Sequence, residues 1–444
     1  LTTLFQEVRS SQNLFSAWRH VKRSALASSS NDIRGHAAEF EHQHHRYLKR
    51  IGDQLRRGTF QFDEFEGVLK DKKAREARGK DPRPIAIGSI KNRIVQRAIL
   101  QVLQPRRNSD EKSIDGRPQP KTDERIGFLN DVNRSPYGVG GLLAPYGGVQ
   151  PAIRFVLDSM RKGATQYYQS DIKAFFTAIP VRAVVEKVRE ATADEDLVRL
   201  FEKALEVQLK NKDELGSYSR LFPSDGRGVA QGSSLSAFAG NILLFDLDKA
   251  INSLGVYAVR YIDDIVILAK TENELKAAID FTKSALKKYG FSLYEPVAGS
   301  EKASQGACTK AFDFLGCTIQ PNRCVPSQVS VNSFLEEVRA TLKASKIEIR
   351  RLLDGNERFD PSKAKSATID RLGKKAFGWQ KSFSFSTDQQ AFRYIDEQMS
   401  ALVDNYDQQT SRWLAKADPA LRARALGVPS MTDLYTSAVK RKAV

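Results

Sequence analysis

Two adjacent carboxylates stand in the middle of an apolar run, VYAVRYIDDIVILAK at Val256–Lys270, and no other stretch constrains the fold as much. The apolar, β-branched residues on either side predict two strands joined by an acidic turn. An Asp-Asp pair in a hairpin turn is ordinary turn chemistry when it faces water. Here Ile262 and Ile265 hold Asp263 and Asp264 on an apolar ribbon, where two like charges are costly unless a cation neutralises them. A third carboxylate, Asp171, ends the apolar strand predicted near Tyr167–Ile172, in QSDIKAFF. Hard divalent cations take carboxylate oxygens, and Mg²⁺ is commonly held by one or two carboxylates together with substrate phosphates.

Charge points to a polyanionic partner. Lys and Arg number 70 against 53 Asp and Glu, a net of +17 with a pI near 9.6, and nucleic acid is the commonest partner of such a surface. The excess is concentrated: Lys70–Arg107 holds twelve basic and three acidic residues, a net of +9. Cys308, Cys317 and Cys324 are odd in number and contain no CxxC pair, so a disulfide framework and a four-ligand zinc site are not expected and a reducing cytoplasm is. No apolar stretch is long enough for a bilayer span and no secretory signal opens the sequence. His42, His44 and His45 resemble a metal cluster, but Ala37, Phe40, Tyr47, Leu48, Ile51 and Leu55 keep helical spacing through them, which predicts one amphipathic helix decorated by histidine. No His follows residue 45, which excludes a His-dependent nuclease or a distal Ser-His-Asp triad from the later sequence.

The length of 444 residues predicts two or three domains. The first hundred residues read as mainly helical, with a helix end at Gly58 followed by a strand in TFQF, then a strand at RPIAI and a helix from about Asn92 to Gln104 before Pro105. Residues 106–150, rich in Pro and Gly, predict a long irregular connection. From residue 151 the pattern is βα-like, with helices over about Ala183–Leu209, Leu235–Leu254 and up to Tyr289, then short strands through Ile319. Beyond Val325, Val331, Phe334, Leu335, Val338 and Leu342 keep helical spacing, as do Phe392, Ile395, Met399, Leu402 and Tyr406. The tail carries twenty basic and fourteen acidic residues, a net of +6.

YIDD, with DIKAFF (Asp171–Phe176), QGSSLS (Gln231–Ser236) and FLG (Phe314–Gly316) in this order and spacing, resembles the palm motifs of reverse transcriptases. RPIAIGSIKNRIVQRAIL (Arg83–Leu100) is similar to the fingers segment of the bacterial members. Together the motifs cover about residues 45–325. The resemblance implies an α/β (α+β) right-hand polymerase, with antiparallel sheet in fingers and palm, the YIDD hairpin, and an α-helical thumb. It divides the chain into an N-terminal helical region (1–60), fingers (61–165), palm (166–325) and a helical thumb or C-terminal domain (326–444). It also implies that Asp171 and Asp263, with Asp264 beside them and Ile172 adjoining, hold two Mg²⁺ ions, Mn²⁺ being the alternative, for attack of a primer 3′-oxygen on a nucleotide α-phosphate.

The same resemblance assigns Arg83, with Lys72 and Lys73, to the triphosphate, Lys302 to protonation of the leaving pyrophosphate, and Gln231 and Gly232 to the templating base and nucleotide, Gly232 permitting close backbone approach. Phe176 takes the place beneath the nucleotide sugar, where a bulky ring selects deoxynucleotides. Phe175 adjoins it, one of the two facing the core and the other the site, as neighbours on a strand do. Phe314, Leu315 and Gly316 support the primer end, with Tyr261 also assigned to primer and template.

The sequence lacks the NAxxH box and VTG tripeptide of retron enzymes, the HNH nuclease of intron proteins and a strand-rich block matching RNase H. What remains resembles the bacterial enzymes of antiphage defence, including abortive-infection types. The implied partners are a structured non-coding RNA template, deoxynucleotides, and the DNA product or its hybrid with RNA; self-association through the tail is a further option. Two other readings stay open: protein-primed DNA synthesis with little template control, for which Tyr394, Tyr406 and Tyr435 supply hydroxyls if they are not buried aromatics, and an RNA-binding, maturase-like factor.

Overall fold

A computed structural model describes residues 2–28, 30–77, 79–106, 120–297, 300, 302–356, 358–432 and 434–435. The chain forms two compact units, Leu1–Cys308 and Thr309–Val444.

In the first unit, β1 (Glu66–Lys70) and β2 (Arg83–Ile87) form an antiparallel pair with Lys70 opposite Arg83. A four-stranded antiparallel sheet is built from β3 (Gln166–Asp171), β4 (Tyr257–Tyr261), β5 (Asp264–Ala269) and β6 (Ala303–Ala307) in the order β4-β5-β3-β6. Ile265–Ala269 are all buried, the outcome expected of an unbroken apolar run in an inner strand. Helices Val149–Arg161, Ser236–Asn252 and Glu272–Lys287 pack on this sheet. The last is started by a capping box, in which Thr271 Oγ1 accepts from Glu274 N–H (3.2 Å) and Glu274 Oε2 accepts from Thr271 N–H (3.0 Å).

In the second unit, β7 (Phe312–Phe314), β8 (Cys317–Gln320) and β9 (Arg323–Pro326) form a meander, followed by helices Gln328–Leu353, Lys365–Ser382, Gln390–Ala415 and Pro419–Leu426. Val331, Phe334, Leu335, Val338 and Leu342 are buried on one helix face, and Ile395 and Tyr406 meet them. The α+β class with a helical C-terminal part is therefore as the motifs imply.

Several expectations are corrected. Residues 59–64 form no strand; the chain leaves Gly58 in a left-handed turn (φ 68°) and reaches β1 only at Glu66, because Phe65 first bridges to Leu209. The helix expected over Ala183–Leu209 is two, Val181–Thr192 and Glu195–Leu205. Ala193 turns left-handed (φ 48°), and Asp194 starts a new helix by accepting from Leu197 N–H at 3.1 Å. The histidine-bearing helix is likewise broken at Gln43 into Asn31–His42 and His44–Arg56. The connection after Pro105 holds a short helix, Leu129–Val132, while its residues 107–119 lie outside the described ones. All three cysteines are free and buried, and among the described residues no helix is long and apolar enough to cross a membrane.

Candidate active site

The sheet brings the acidic residues together because β3 lies between β5 and β6. Asp171, the last residue of β3, is directly opposite Asp264, the first of β5. Beyond it, Ile172 N–H donates to the Asp263 carbonyl at 2.8 Å, and Asp171 N–H donates to the Lys302 carbonyl at 3.1 Å. Ser170 is buried beside them, its hydroxyl oxygen accepting from Tyr294 N–H at 2.9 Å. Asp171 and Lys302 form an ion pair through their side chains. Among the described residues no cation forms an ion pair with Asp263 or Asp264. Burial and the facing charge of Asp264 push the Asp263 carboxyl up to about 6, and burial pushes Asp264 up to about 6. Two half-buried carboxylates, the charge of Asp264 adding to the charging cost of Asp263, and a third beside them offer oxygens of the kind a divalent cation takes. The three side chains do not stand as one closed ligand cluster; among the described residues no group of three or more His, Cys, Asp or Glu is so placed. Lys302 occupies Asp171 instead.

The turn carrying Asp263 is strained. Ile262 has φ 62°, at the first central position of a two-residue turn where hairpins ordinarily place glycine. For a β-branched residue this conformation costs about 1–3 kcal/mol. Its support is Arg260, which is 1% exposed. The guanidinium donates from Nη1 to the Ile262 carbonyl (2.8 Å), from Nε and Nη2 to the two oxygens of buried Asp248 (3.0 and 2.6 Å), and from Nη2 to Asn241 Oδ1 (3.3 Å). Gly140 lies against the other side of the turn: a Cβ there would stand 2.5 Å from Ile262 N. Sequence reasoning missed Arg260 and Asp248. Their signal was visible as one charged residue, Arg260, inside the apolar segment VYAVRY and two, Asp246 and Asp248, at the end of the apolar segment NILLFDLD.

Phe175 and Phe176 lie on the short helix Phe175–Ala178, entered through Ala174 at φ 50°, so the helical turn separates them rather than strand alternation. Phe175 is buried against Phe291 (ring centroids 5.5 Å apart). Phe176 is only partly buried, and its carbonyl accepts from Val229 N–H at 2.7 Å, which ties it to the loop bearing Gln231 and Gly232. Gly232 has φ 107°, and a Cβ there would meet Ile85 at an ordinary 3.7 Å. That backbone angle by itself favours glycine at this position. Arg83, at the start of β2, casts its positive charge on Asp263 and Lys302. Lys72 and Lys73 lie on the helix Lys72–Glu76, with the Lys72 ammonium over the Tyr218 ring at 4.6 Å. Tyr261 ends β4, opposite Asp264. Phe314, Leu315 and Gly316 belong to the second unit, where Leu315 (φ 49°) and Gly316 (φ 76°) make the turn from β7 to β8. The Gly316 carbonyl accepts from Ser327 N–H (2.9 Å) and Ser330 Oγ (2.8 Å).

A family model described as reverse transcriptase (RNA-dependent DNA polymerase) matches residues 70–319. No curated protein matches significantly. Among solved structures, a partial Cas6-RT-Cas1–Cas2 complex is similar at 20% identity and a TM-score of 0.35, over 64% of this chain and 41% of that one. Telomerase from Candida albicans in complex with the TWJ fragment of telomeric RNA is similar at 11% identity and a TM-score of 0.40, over 84% of this chain and 62% of that one. Apo telomerase from Candida tropicalis gives 13% and 0.40, over 82% and 62%. The chain thus spans less than two thirds of the length of each of these solved chains.

Proposed function

The chain belongs to the reverse transcriptase family, and from that premise we propose that it copies a structured non-coding RNA into DNA, as a bacterial antiphage enzyme. The observation that carries the polymerase reading is the register that sets Asp171 opposite Asp264, with Asp263 joined to Ile172 through the backbone. Reverse transcriptases use divalent metal ions, and two bound Mg²⁺ ions, or Mn²⁺, would supply positive charge for the attacking and leaving oxygens of nucleotidyl transfer. In this reading Asp171, Asp263 and Asp264, with Ile172 adjoining, hold that charge in place. Arg83 orients the triphosphate, with Lys72 and Lys73 as further cations. Phe176 lies under the sugar and excludes a 2′-hydroxyl, with Phe175 fixing it from behind. Gln231 and Gly232 support the template and nucleotide, Tyr261 the primer and template, and Lys302 delivers a proton to pyrophosphate. Phe314, Leu315 and Gly316 keep their role at the primer end on motif alone. The fingers, palm and helical thumb are assigned over 61–165, 166–325 and 326–444, after a helical region at 1–60.

The defence assignment is supported by the lack of the NAxxH box and VTG tripeptide of retron enzymes and by the helices that follow the palm. The test is sequencing of nucleic acid that co-purifies with protein expressed beside its native flanking DNA. A discrete cDNA complementary to one structured RNA is expected. RNA without DNA, together with unimpaired cellular function of Asp263→Asn, would instead favour a maturase-like factor. Protein priming draws support from the exposure of Tyr394 (43%) and Tyr435 (73%), whereas Tyr406 is buried and hydrogen-bonded to Ser345. DNA that stays attached to the protein after phenol extraction would establish that route.

A further inference from the structure

The N-terminal helices, most of which lie outside the matched segment, contribute to a second concentration of charge. Helices Ser11–Leu26 and Ile90–Leu103 lie side by side, and their register can be read from two hydrogen bonds. Ser16 Oγ donates to Gln101 Oε1 at 3.4 Å, and Arg93 Nη2 donates to Ser24 Oγ at 2.9 Å. Midway between these, one helical turn from each, His20 faces Arg97. Both ends of the seam are joined by neutral or singly charged polar contacts; the middle level holds two bases.

Arg97 is 7% exposed and its Nε has no hydrogen-bond partner. Arg23, Arg93 and Arg106 stand close enough to act on His20, and Arg106 acts on Arg97. Among the described residues no carboxylate forms an ion pair with Arg23, Arg93, Arg97 or Arg106. Partial burial, then Arg97, Arg106, Arg23 and Arg93, pull the His20 imidazolium down to about 4. A buried guanidinium without a counter-charge is strongly unfavourable. Buried Arg97, with partly buried Arg93 and the exposed His20, Arg23 and Arg106 around it, forms a site for an anion that binds in a planar, multidentate fashion, and phosphate is the fitting chemistry.

We propose that Arg97, flanked by Arg93, Arg106, Arg23 and His20, takes a phosphate group of a single-stranded RNA. The strand is favoured over a free anion because Arg93 also lines a cavity of about 230 Å³ shared with Ser24, Ser28, Ile85, Ala86 and Gly232. A strand held at the Gly232 loop can therefore reach the cradle through this cavity, in which Arg93 is the one charged residue of an otherwise neutral lining. The inter-helix bonds on either side of Arg97 stop a chain from threading along the seam, so a phosphate enters from the His20 rim. This deepens the reading of the chain as an RNA-copying enzyme and rests on it for the identity of the strand.

The test uses the full chain, Arg97→Met, and short single-stranded oligoribonucleotides with a 5′-hydroxyl or a 5′-phosphate. Removing an unpaired buried charge should raise the denaturant midpoint of the free protein while weakening RNA binding roughly tenfold near 0.1 M salt, with a log–log salt slope lower by about 0.7. A residue with a purely structural role would lower that midpoint. In the wild type, saturating RNA should raise the His20 pKa, read by NMR, by at least about one unit, and Arg97→Met should abolish that response. A larger response to the 5′-phosphate oligonucleotide would assign the strand terminus, and an equal one an internal phosphodiester. Unchanged affinity and slope in Arg97→Met, or a His20 that ignores bound RNA, would overturn the proposal. A His20 response to inorganic phosphate but not to RNA would overturn the strand assignment. Asp263→Asn protein that makes no DNA should still show the full Arg97-dependent binding, whereas synthesis failing in unaltered protein that retains this binding would sink the polymerase reading alone.

Discussion

Arg260→Met separates the stability of the palm from the geometry of its acidic turn. In the native protein the guanidinium makes two bonds to Asp248, one to the Ile262 carbonyl and one to Asn241. Removing it leaves a fully buried carboxylate unpaired, a loss of about 3–5 kcal/mol. Replacing both partners, as Arg260→Met with Asp248→Leu, removes the unpaired charge and should recover stability to within about 1–2 kcal/mol of the parent. It does not restore the bond to Ile262. A charge-assisted hydrogen bond contributes about 1.5–3 kcal/mol, so relaxation of the strained turn should slow single-nucleotide incorporation roughly 10–100-fold. Urea unfolding followed by tryptophan fluorescence and a rapid-quench incorporation assay give the two numbers. The deficit of the single variant is also pH-dependent. Burial already pushes the Asp248 carboxyl up, while Arg260 pulls it back. Without Arg260 the native pKa rises further above the unfolded value, the native state binds the extra proton, and the deficit narrows as pH falls from 8 to 5. A double variant that is stable and incorporates nucleotides at the parental rate would refute the claim that Arg260 holds the turn.

Three further outcomes follow from the site. Phe176→Ala should relax discrimination against ribonucleotides by at least about tenfold, roughly 1.4 kcal/mol, in competition between paired ribo- and deoxynucleotides; unchanged discrimination would remove Phe176 from the gate. Gly140→Ala places a methyl group 2.5 Å from Ile262 N, so incorporation should fall by at least about tenfold, corresponding to about 1–3 kcal/mol of overpacking strain, and normal activity would show that the turn tolerates displacement. Chelation of divalent ions with EDTA should abolish synthesis, and Mg²⁺ should both restore it and raise the melting temperature of the parent but not of Asp263→Asn; equal stabilisation of both proteins would place the ion elsewhere.

How far the sequence could be read depended on whether a feature was local. The YIDD hairpin was legible because an apolar run and its acidic turn are written in one segment, and the strand RPIAI was legible for the same reason. The helix expected over Ala183–Leu209 failed because helical spacing persists across Ala193–Asp194, while the N-cap and the left-handed residue that divide it act on individual dihedrals. Phe175 is the core member expected of the Phe175–Phe176 pair, while both lie on a helical turn and not on the strand expected.

By itself the sequence determined that two strands flank the YIDD turn, that Val331, Phe334, Leu335, Val338 and Leu342 share a buried helix face, and that Asp263 and Asp264 stand side by side at the hairpin. These follow from periodicity and composition, each set by neighbours along the chain. Only the tertiary structure decided that Asp171 meets Asp264 and is paired with Lys302, that Arg260 reaches back to Asp248 beneath Ile262, and that His20 faces Arg97 across two helices. Partner choice among such residues follows from the β4-β5-β3-β6 strand order and from helix register. Both minimise the free energy of the whole core, so no single segment encodes them.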